Sequence, residues 1–351
     1  MEANLQSTKG AWNSKPYIAS VEPRFALPGG EIRIRGRHLM GTELRRPSVR
    51  LGEADASLTL ATHDLIVAKV PVGTSSGELT VCTDATSTSN AIELGVATEI
   101  SEDLHPVGNP AVDSDGNIYA SFSGSRGQAV PVSVYKIDAN YNVRPFVTDL
   151  MNATGLALDS AGFLYVSSRF NGTVYRISPN GAMATYAQGM GVATGIAFDA
   201  EGNLYVGDRS GTIFKIARDR QIYVFATLEP SVSAYHLAFA SSGNLFVAGP
   251  TISSFDAVYE IDPHGSVREF YRGLGRPQGL AFDATGNLYV AASLQGSRGI
   301  VRLTPSGEAS LMLSGSNLVG LAFAPARSAI LATTSAVHRV AWNIAGRPLW
   351  G

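Results

Sequence analysis

A pattern of two short strands recurs six times between residue 104 and the end of the chain, and it constrains the fold more than any other feature. Each copy has an apolar strand, a turn that usually contains Gly, and a second strand resembling Asn-Leu-Tyr-Val. The copies begin at intervals of about 40–46 residues and cover 109–121, 155–167, 195–207, 236–248, 279–291 and 320–332. A period of this length with several short strands per unit is typical of β-propeller blades.

Each repeat continues with two further strands. A third strand such as GTVYRI (172–177) follows a loop, and a fourth strand follows a turn such as SPNG (178–181). The first strands are almost wholly apolar, as a strand covered on both faces should be, whereas the third and fourth alternate as half-exposed strands do. Because one blade cannot bury both of its faces alone, six copies predict a closed six-bladed ring.

The two ends of this ring need to be joined. Only RPLWG follows the turn at 343–346, so the last repeat is too short for a full fourth strand. The segment at 95–102 lies just before the first repeat. We therefore expect residues 95–102 to supply the outer strand of the last blade.

One aromatic position recurs in four of the repeats. It is occupied by Phe198, Phe239, Phe282 and Phe323. Since this position falls at the end of the first strand, we expect each ring to fill space between neighbouring blades.

The region before the repeats has a different pattern. Short alternating strands are predicted at 31–36, 48–51, 65–70, 78–82 and 91–96, and turns rich in Gly, Pro and Ser separate them. About seven short strands in roughly 80 residues predict a small β-sandwich. The whole chain is therefore expected to be all-β. The predicted divisions are a disordered N-terminus over 1–15, the β-sandwich over 16–96, a linker and closing strand over 97–104, and the propeller over 105–351.

Composition excludes several classes of function. The 351 residues include 27 Lys and Arg against 29 Asp and Glu, a formal net charge of −2, which argues against nucleic acid as a partner through bulk charge. The single cysteine, Cys82, allows neither an intrachain disulfide nor a cysteine-based metal site, and we expect it to be buried. No segment approaches the roughly 18 apolar residues of a membrane span.

Residues 1–10 lack the basic and apolar regions of a signal peptide. The default expectation is a cytoplasmic protein, or a periplasmic or extracellular one if a signal was removed.

Both regions resemble known families. Residues 16–96 resemble IPT/TIG immunoglobulin-like domains through Val21-Glu22-Pro23, Pro28-Gly29-Gly30 and Val70-Pro71. That resemblance implies a connecting or adhesive module of the kind found in bacterial surface proteins. Residues 105–351 resemble NHL-repeat six-bladed propellers through their G-L-A-x-D and G-N-L-Y-V phrases and, more loosely, the senescence-marker/gluconolactonase group.

The preferred function is non-catalytic binding, without a cofactor, on one face of the propeller. Loops between second and third strands, and between fourth and first strands, gather on this face, and their guanidinium groups can bind carboxylates or phosphates. The partner is expected to be a protein, a peptide or a small anionic ligand. The alternative is that these arginines are simply solvated. The predicted ligand-binding residues are Arg126, Arg169, Arg209, Tyr235, His236, Arg276, Gln278 and Arg298.

The competing function is a metal-dependent hydrolase of lactones or esters, which the gluconolactonase resemblance implies. Asp208 and His236 would then be catalytic, and Asn109 and Asp208 would hold a divalent cation such as Ca²⁺. The early glutamate of that group has no counterpart in this sequence, because the first repeat opens with HPVGNP (105–110). The structural alternative is that Asp208 pairs with Arg209 or caps a turn.

The aspartates that end the first strands have a structural explanation. Asp113, Asp159, Asp199 and Asp283 each begin a short turn with Gly three residues later. A carboxylate at such a position accepts hydrogen bonds from the N–H groups of its own turn. We therefore predict four separate turns rather than one carboxylate cluster.

Overall fold

The structure is a computed structural model that describes residues 15–41, 46–84 and 86–347. Every regular element in these residues is a β-strand, and they include no helix long and apolar enough to span a membrane. Contacts divide the chain into two compact units, one ending at Ala97 and including Met312–Gly315, the other formed by Thr98–Leu311 and the residues from Ser316 onward. The disorder expected for residues 1–15 concerns positions that, except for Lys15, lie outside the described residues.

The first unit is a β-sandwich of eight strands. They are β1 (Tyr17–Glu22), β2 (Phe25–Ala26), β3 (Glu31–Arg37), β4 (Ser48–Leu51), β5 (Ala54–Ala61), β6 (Leu65–Lys69), β7 (Gly77–Cys82) and β8 (Ile92–Val96). Strand β3 shows why this sequence forms a two-sided sheet. Ile32 and Ile34 are fully buried, whereas Arg33 and Arg35 between them are exposed. Cys82 is only half-buried, contrary to our expectation, because it lies at the last position of β7, beside Thr88.

The second unit is a six-bladed propeller. Its first three blades are β10 (Ala111–Val112) to β13 (Val143–Val147), β14 (Ala153–Leu158) to β17 (Met183–Ala187), and β18 (Ala193–Phe198) to β21 (Ile222–Thr227). Between these bounds lie β11 (Ile118–Ser121), β12 (Val134–Ile137), β15 (Leu164–Ser168), β16 (Thr173–Ile177), β19 (Leu204–Asp208) and β20 (Thr212–Ile216). Each of the three blades is an antiparallel sheet of four consecutive strands.

The fourth blade consists of β22 (His236–Phe239), β23 (Leu245–Ala248), β24 (Asp256–Ile261) and β25 (Val267–Gly275). The fifth consists of β26 (Leu280–Phe282), β27 (Leu288–Leu294), β28 (Ser297–Leu303) and β29 (Ala309–Ser314). These two blades share ladder bonds where the long ends of β25 and β27 pair, at Leu274 with Leu294 and Gly275 with Ser293. Strands β27 and β28 form a tight hairpin, with only Gln295 and Gly296 between them.

The sixth blade closes the ring with a strand from the other end of the repeat region. It contains β30 (Leu318–Ala324), β31 (Ser328–Thr333) and β32 (Ala336–Val340), and β9 (Thr98–Glu102) pairs antiparallel with β32 at its outer edge. The expected segment began at 95. Gly95 and Val96 instead belong to β8 of the sandwich, so the closing strand begins at Thr98.

A half-buried asparagine also joins the two ends of the ring. Asn109 of the first blade donates from Nδ2 to the Leu280 carbonyl at 2.9 Å and accepts at Oδ1 from the Leu321 N–H at 3.1 Å. Gly279 allows this approach, since a Cβ at that position would overlap Asn109 Oδ1. One amide side chain thus ties the first blade to the fifth and sixth.

The recurring phenylalanines pack between neighbouring blades, as the sequence pattern predicts. Tyr165 and Phe198 meet edge to face at 4.8 Å between ring centres, and Tyr289 and Phe323 do so at 5.2 Å. The strand-ending aspartates also have their predicted role. For example, Asp283 Oδ1 accepts from the Thr285 and Asn287 N–H groups at 2.9 Å each.

Candidate functional site

The loop face of the propeller, formed by the loops that join second to third strands and each fourth strand to the next blade, carries three arginines from consecutive blades. Arg126 lies in the β11–β12 loop, Arg169 in the β15–β16 loop and Arg209 in the β19–β20 loop. Arg126 and Arg209 are exposed, and Arg169 is half-buried. Because equivalent loops of successive blades are adjacent in a propeller, the three guanidinium groups follow one another around the rim.

Arg169 lies at the centre of this group. Its Nη2 donates to the Gly124 carbonyl at 2.7 Å, which holds the side chain against the β11–β12 loop. Burial lowers the pKa of the Arg169 guanidinium, and the positive charges of Arg209 and Arg126 lower it further. Among the described residues, no carboxylate lies within 4.0 Å of any of the three arginines. The described part of the chain therefore concentrates positive charge at these loops without a carboxylate that neutralises it.

Exposed apolar side chains lie beside these arginines. Phe170 is 45% exposed and directly follows Arg169. Its ring lies next to Gly127 of the neighbouring loop, where an added Cβ would be 3.6 Å from the ring edge. An aromatic ring thus fills the space between the first two arginine-bearing loops.

The apolar surface continues beyond Arg209. Arg209 donates from Nη2 to the Val232 carbonyl at 3.1 Å, and the Val232 N–H donates to the Pro250 carbonyl at 2.9 Å. The loop after Pro250 exposes Ile252 and Phe255 by 91% and 63%. We call the whole surface the arginine–apolar arc, and its members are Arg126, Arg169, Phe170, Arg209, Val232, Ile252 and Phe255.

Arg276 and Arg298 form a second, smaller basic pair on the loop face. Burial lowers the pKa of Arg298, and the charge of Arg276 lowers it further, which indicates that the two groups are close. Arg276 is exposed and has a positive φ of 47°. Gln278 is half-buried beside them, and its N–H donates to the Ala291 carbonyl at 2.9 Å.

Tyr235 and His236 are not on the exposed rim. Tyr235 is buried, and its hydroxyl donates to the Glu229 carbonyl, so the hydroxyl is not offered to a ligand. His236 is also buried, and together with Gly108 and Thr154 it lines a small cavity. Burial lowers the pKa of its imidazole from 6.5 to about 4, so His236 is neutral at pH 7 and adds no charge to the face.

The predicted metal ligands, Asp208 and Asn109, form hydrogen bonds with other groups of the protein. Asp208 Oδ1 accepts from the Val192 N–H at 2.7 Å, and Oδ2 accepts from the Ser210 hydroxyl. Asn109 Oδ1 is bonded to Leu321, as described above. The described residues contain no group of three or more His, Cys, Asp and Glu side chains placed to hold a metal ion. Since Ca²⁺ takes six to eight oxygen ligands, Asp208 and Asn109 in this arrangement do not fit Ca²⁺.

Sequence reasoning identified the arginines of the arc but missed its apolar half. Phe170 was detectable, because an aromatic residue in a turn such as SRFNG has no strand neighbours to cover it. Val232, Ile252 and Phe255 lie in irregular loops whose exposure no periodicity reveals. Arg347, which lies at the axis of the propeller, is not marked by any motif or repeat in the sequence.

Comparisons with known proteins agree with the two-part architecture. Residues 16–94 match the IPT/TIG domain family. None of the curated proteins matches the chain in sequence.

Among solved structures, a protein provisionally described as a gluconolactonase has a TM-score of 0.59 at 18% identity, over 72% of this chain and 93% of its own. An auxiliary nutrient-binding protein from Bacteroides thetaiotaomicron has a TM-score of 0.55 at 12% identity, over 93% of this chain and 98% of its own. Virginiamycin B lyase from Staphylococcus aureus, in an inactive form with quinupristin, has a TM-score of 0.52 at 14% identity, over 84% and 99%. At these identities the likeness shows the fold alone. The protein is therefore similar in architecture to both binding proteins and enzymes, and it combines an IPT/TIG domain with a six-bladed propeller.

Proposed function

We propose that this protein is a non-catalytic binding protein whose arginine–apolar arc recognises an acidic peptide segment of another protein. The observation that carries the proposal is the group of three arginines on consecutive loops with no carboxylate partner among the described residues. Unpaired guanidinium groups bind carboxylates strongly, often through two hydrogen bonds at once.

The apolar members of the arc favour a peptide over a small inorganic anion. Phe170, Ile252 and Phe255 are exposed beside the arginines. Large exposed apolar side chains rimmed by charged groups are typical of protein-binding surfaces. A segment with alternating acidic and apolar residues would cover both kinds of side chain, whereas an isolated phosphate or citrate would leave the apolar ones in water.

The proposal is tested with a fluorescent peptide of alternating Glu and Leu and a second peptide with Gln in place of Glu, measured by fluorescence anisotropy. We expect the Glu peptide to bind more tightly and to weaken as salt rises, because the attraction is electrostatic. Replacing Arg126 and Arg209 by Glu should weaken binding by about tenfold or more, since each reversal removes about 1 kcal/mol or more of attraction.

The matched control is the double variant Arg218→Glu with Arg327→Glu, which changes the net charge equally at two exposed arginines outside the arc. Equal loss of binding in both double variants would contradict the arc and indicate a general charge effect. Preference for citrate or polyphosphate over both peptides would indicate a small-anion site instead. Turnover of a lactone or aryl ester that EDTA and Asp208→Ala both abolish would overturn the non-catalytic proposal.

A further inference from the structure

The axis of the propeller contains an apolar cavity that the binding surface on the loop face does not use. Its enclosed volume is about 80 Å³, and it opens to solvent. The first strands of several blades line it, with Leu156, Ile196, Leu237, Leu280 and Leu321 among the lining residues. Small-molecule sites are typically concave and lined mainly by apolar side chains, as this cavity is, and a hydrocarbon chain longer than the enclosed space would extend through its open mouth.

One charged side chain also lines this cavity. Arg347 is held there by the segment after β32, whose Ala345 carbonyl accepts from the Ala284 N–H at 2.8 Å. The Arg347 N–H donates to the Phe282 carbonyl at 3.0 Å, and its Nη1 donates to the Phe239 carbonyl at 2.9 Å. These bonds place the guanidinium beside the ends of the fourth and fifth first strands, at the mouth opposite the loop face.

The guanidinium has no counter-ion in the part of the chain that the structure describes. No carboxylate there lies within 4.0 Å of Arg347. The carboxylates that end neighbouring first strands serve their own turns, Asp199 with Asn203 and Asp283 with Asn287. Burial alone lowers the pKa of Arg347, yet an arginine remains charged at neutral pH. A partly buried cation facing an apolar cavity is unfavourable unless an anion pairs with it.

We propose that the axial cavity binds a small apolar monocarboxylate, with its carboxylate on Arg347 and its hydrocarbon part among the first-strand side chains. A neutral apolar ligand would leave the guanidinium without an anion, and a polyanion would put its further charges against apolar walls. Only a molecule with a single negative end and an apolar body satisfies both halves of the cavity.

The test uses hexanoate and 4-phenylbutyrate as probes, with hexanamide as the uncharged control, in isothermal titration calorimetry on the full chain at pH 7. We expect both carboxylates to bind, and hexanamide to bind at least tenfold more weakly. Arg347→Gln should weaken carboxylate binding at least tenfold and leave hexanamide unchanged, since it removes the charge and keeps a hydrogen-bond donor.

Two further variants test the location. Ala157→Leu adds carbon atoms to the cavity wall and should abolish binding of 4-phenylbutyrate. Gly346→Ala should weaken binding by displacing Arg347, because a Cβ at this position would overlap the side chain of Phe323. The matched control is Arg218→Gln, which removes one exposed charge away from the axis and should bind as the unaltered protein does. Circular dichroism confirms that each variant is folded.

The proposal is overturned if neither carboxylate binds the full chain, or if Arg347→Gln binds both as tightly as the unaltered protein. It is also overturned if a chain ending at Arg347 binds the probes and the full chain does not, because the chain's own residues 348–351 would then occupy the cavity. Loss of binding in folded Arg347→Gln and Ala157→Leu, with retention in Arg218→Gln, supports it. None of these outcomes depends on the arginine–apolar arc.

Discussion

The carboxylate of Asp208 holds together the connection before β18 and the turn after β19. It accepts hydrogen bonds from the Val192 N–H and the Ser210 hydroxyl while its side chain is buried. Removal of this acceptor leaves the half-buried Val192 N–H without its partner, which costs about 1–3 kcal/mol.

We therefore predict that Asp208→Ala lowers the free energy of unfolding by about 1–3 kcal/mol in urea denaturation. Glu201→Ala, at an exposed position, is the matched control and should change it by less than about 0.5 kcal/mol. If the two variants are equally stable, the hydrogen bonds of Asp208 do not contribute to folding.

His236 predicts a pH dependence of stability. Its pKa is lowered to about 4 by burial, whereas in the unfolded chain it returns to about 6.5. As pH falls below 6.5, the unfolded state takes up a proton that the folded state does not, so stability decreases until about pH 4. The loss from this one residue is at most about 2.5 kcal/mol at pH 4.5.

The measurement is urea denaturation at pH 7.0, 5.5 and 4.5 for the unaltered protein and for His236→Gln. We expect the variant to lose less stability over this range, because glutamine does not titrate. His338 supplies the internal comparison, since burial lowers its pKa to about 4 as well and it remains in both proteins. Identical pH dependence in the two proteins would contradict the neutral buried state of His236.

At the scale of the strand, one repeated position has different surroundings in different blades. Phe323, at the end of β30, is buried against Tyr289 and Trp342. Phe198, at the end of β18, is only half-buried because it also lines the axial cavity. The same residue in the same motif therefore buries different amounts of surface.

We predict that Phe323→Ala lowers the free energy of unfolding by about 3–5 kcal/mol, the range for emptying a buried aromatic site. Phe198→Ala should cost less, about 1–2 kcal/mol, because part of its ring already faces empty space. Urea denaturation of both variants tests the difference. Equal losses would mean that the axial cavity is filled in solution.

At the scale of the whole molecule, stability depends on closing the ring. Strand β9 covers the outer edge of the last blade, with Ala336, Val337 and His338 of β32 paired to it. Without β9 this edge would lose its ladder hydrogen bonds. An exposed edge strand can also pair with strands of other chains.

We predict that a chain beginning at Leu104 melts about 10 °C below a chain beginning at Thr98, since the strand's loss removes several kcal/mol from the propeller. Differential scanning calorimetry measures both. The chain beginning at Thr98 is the control, because it also lacks the sandwich but keeps β9. Equal melting temperatures would show that β9 does not close the ring.

The repeat pattern was enough to predict six blades, their strand order and the closing strand. Each blade is formed mainly by consecutive residues, so its strands can be recognised from the local sequence. The Asp-x-x-Gly turns were predictable for the same reason, since the Asp283 carboxylate accepts hydrogen bonds from Thr285, Asn287 and Tyr289, all within six positions of it. The arginines at 126, 169 and 209 were placed on one face by topology alone. Their lack of carboxylate partners among the described residues was not predictable, because ion pairs depend on which loops meet.

Features that join distant segments were decided only by the tertiary structure. Asn109 appeared as a candidate metal ligand in the sequence, yet its amide bonds Leu280 and Leu321, more than 170 positions away. The sequence around Arg347 does not indicate where this residue lies, because no motif there shows that the segment after β32 crosses to the axis. Sequence periodicity reports how each residue relates to its chain neighbours, whereas hydrogen-bond partners and cavities arise where the closed ring brings remote residues into contact.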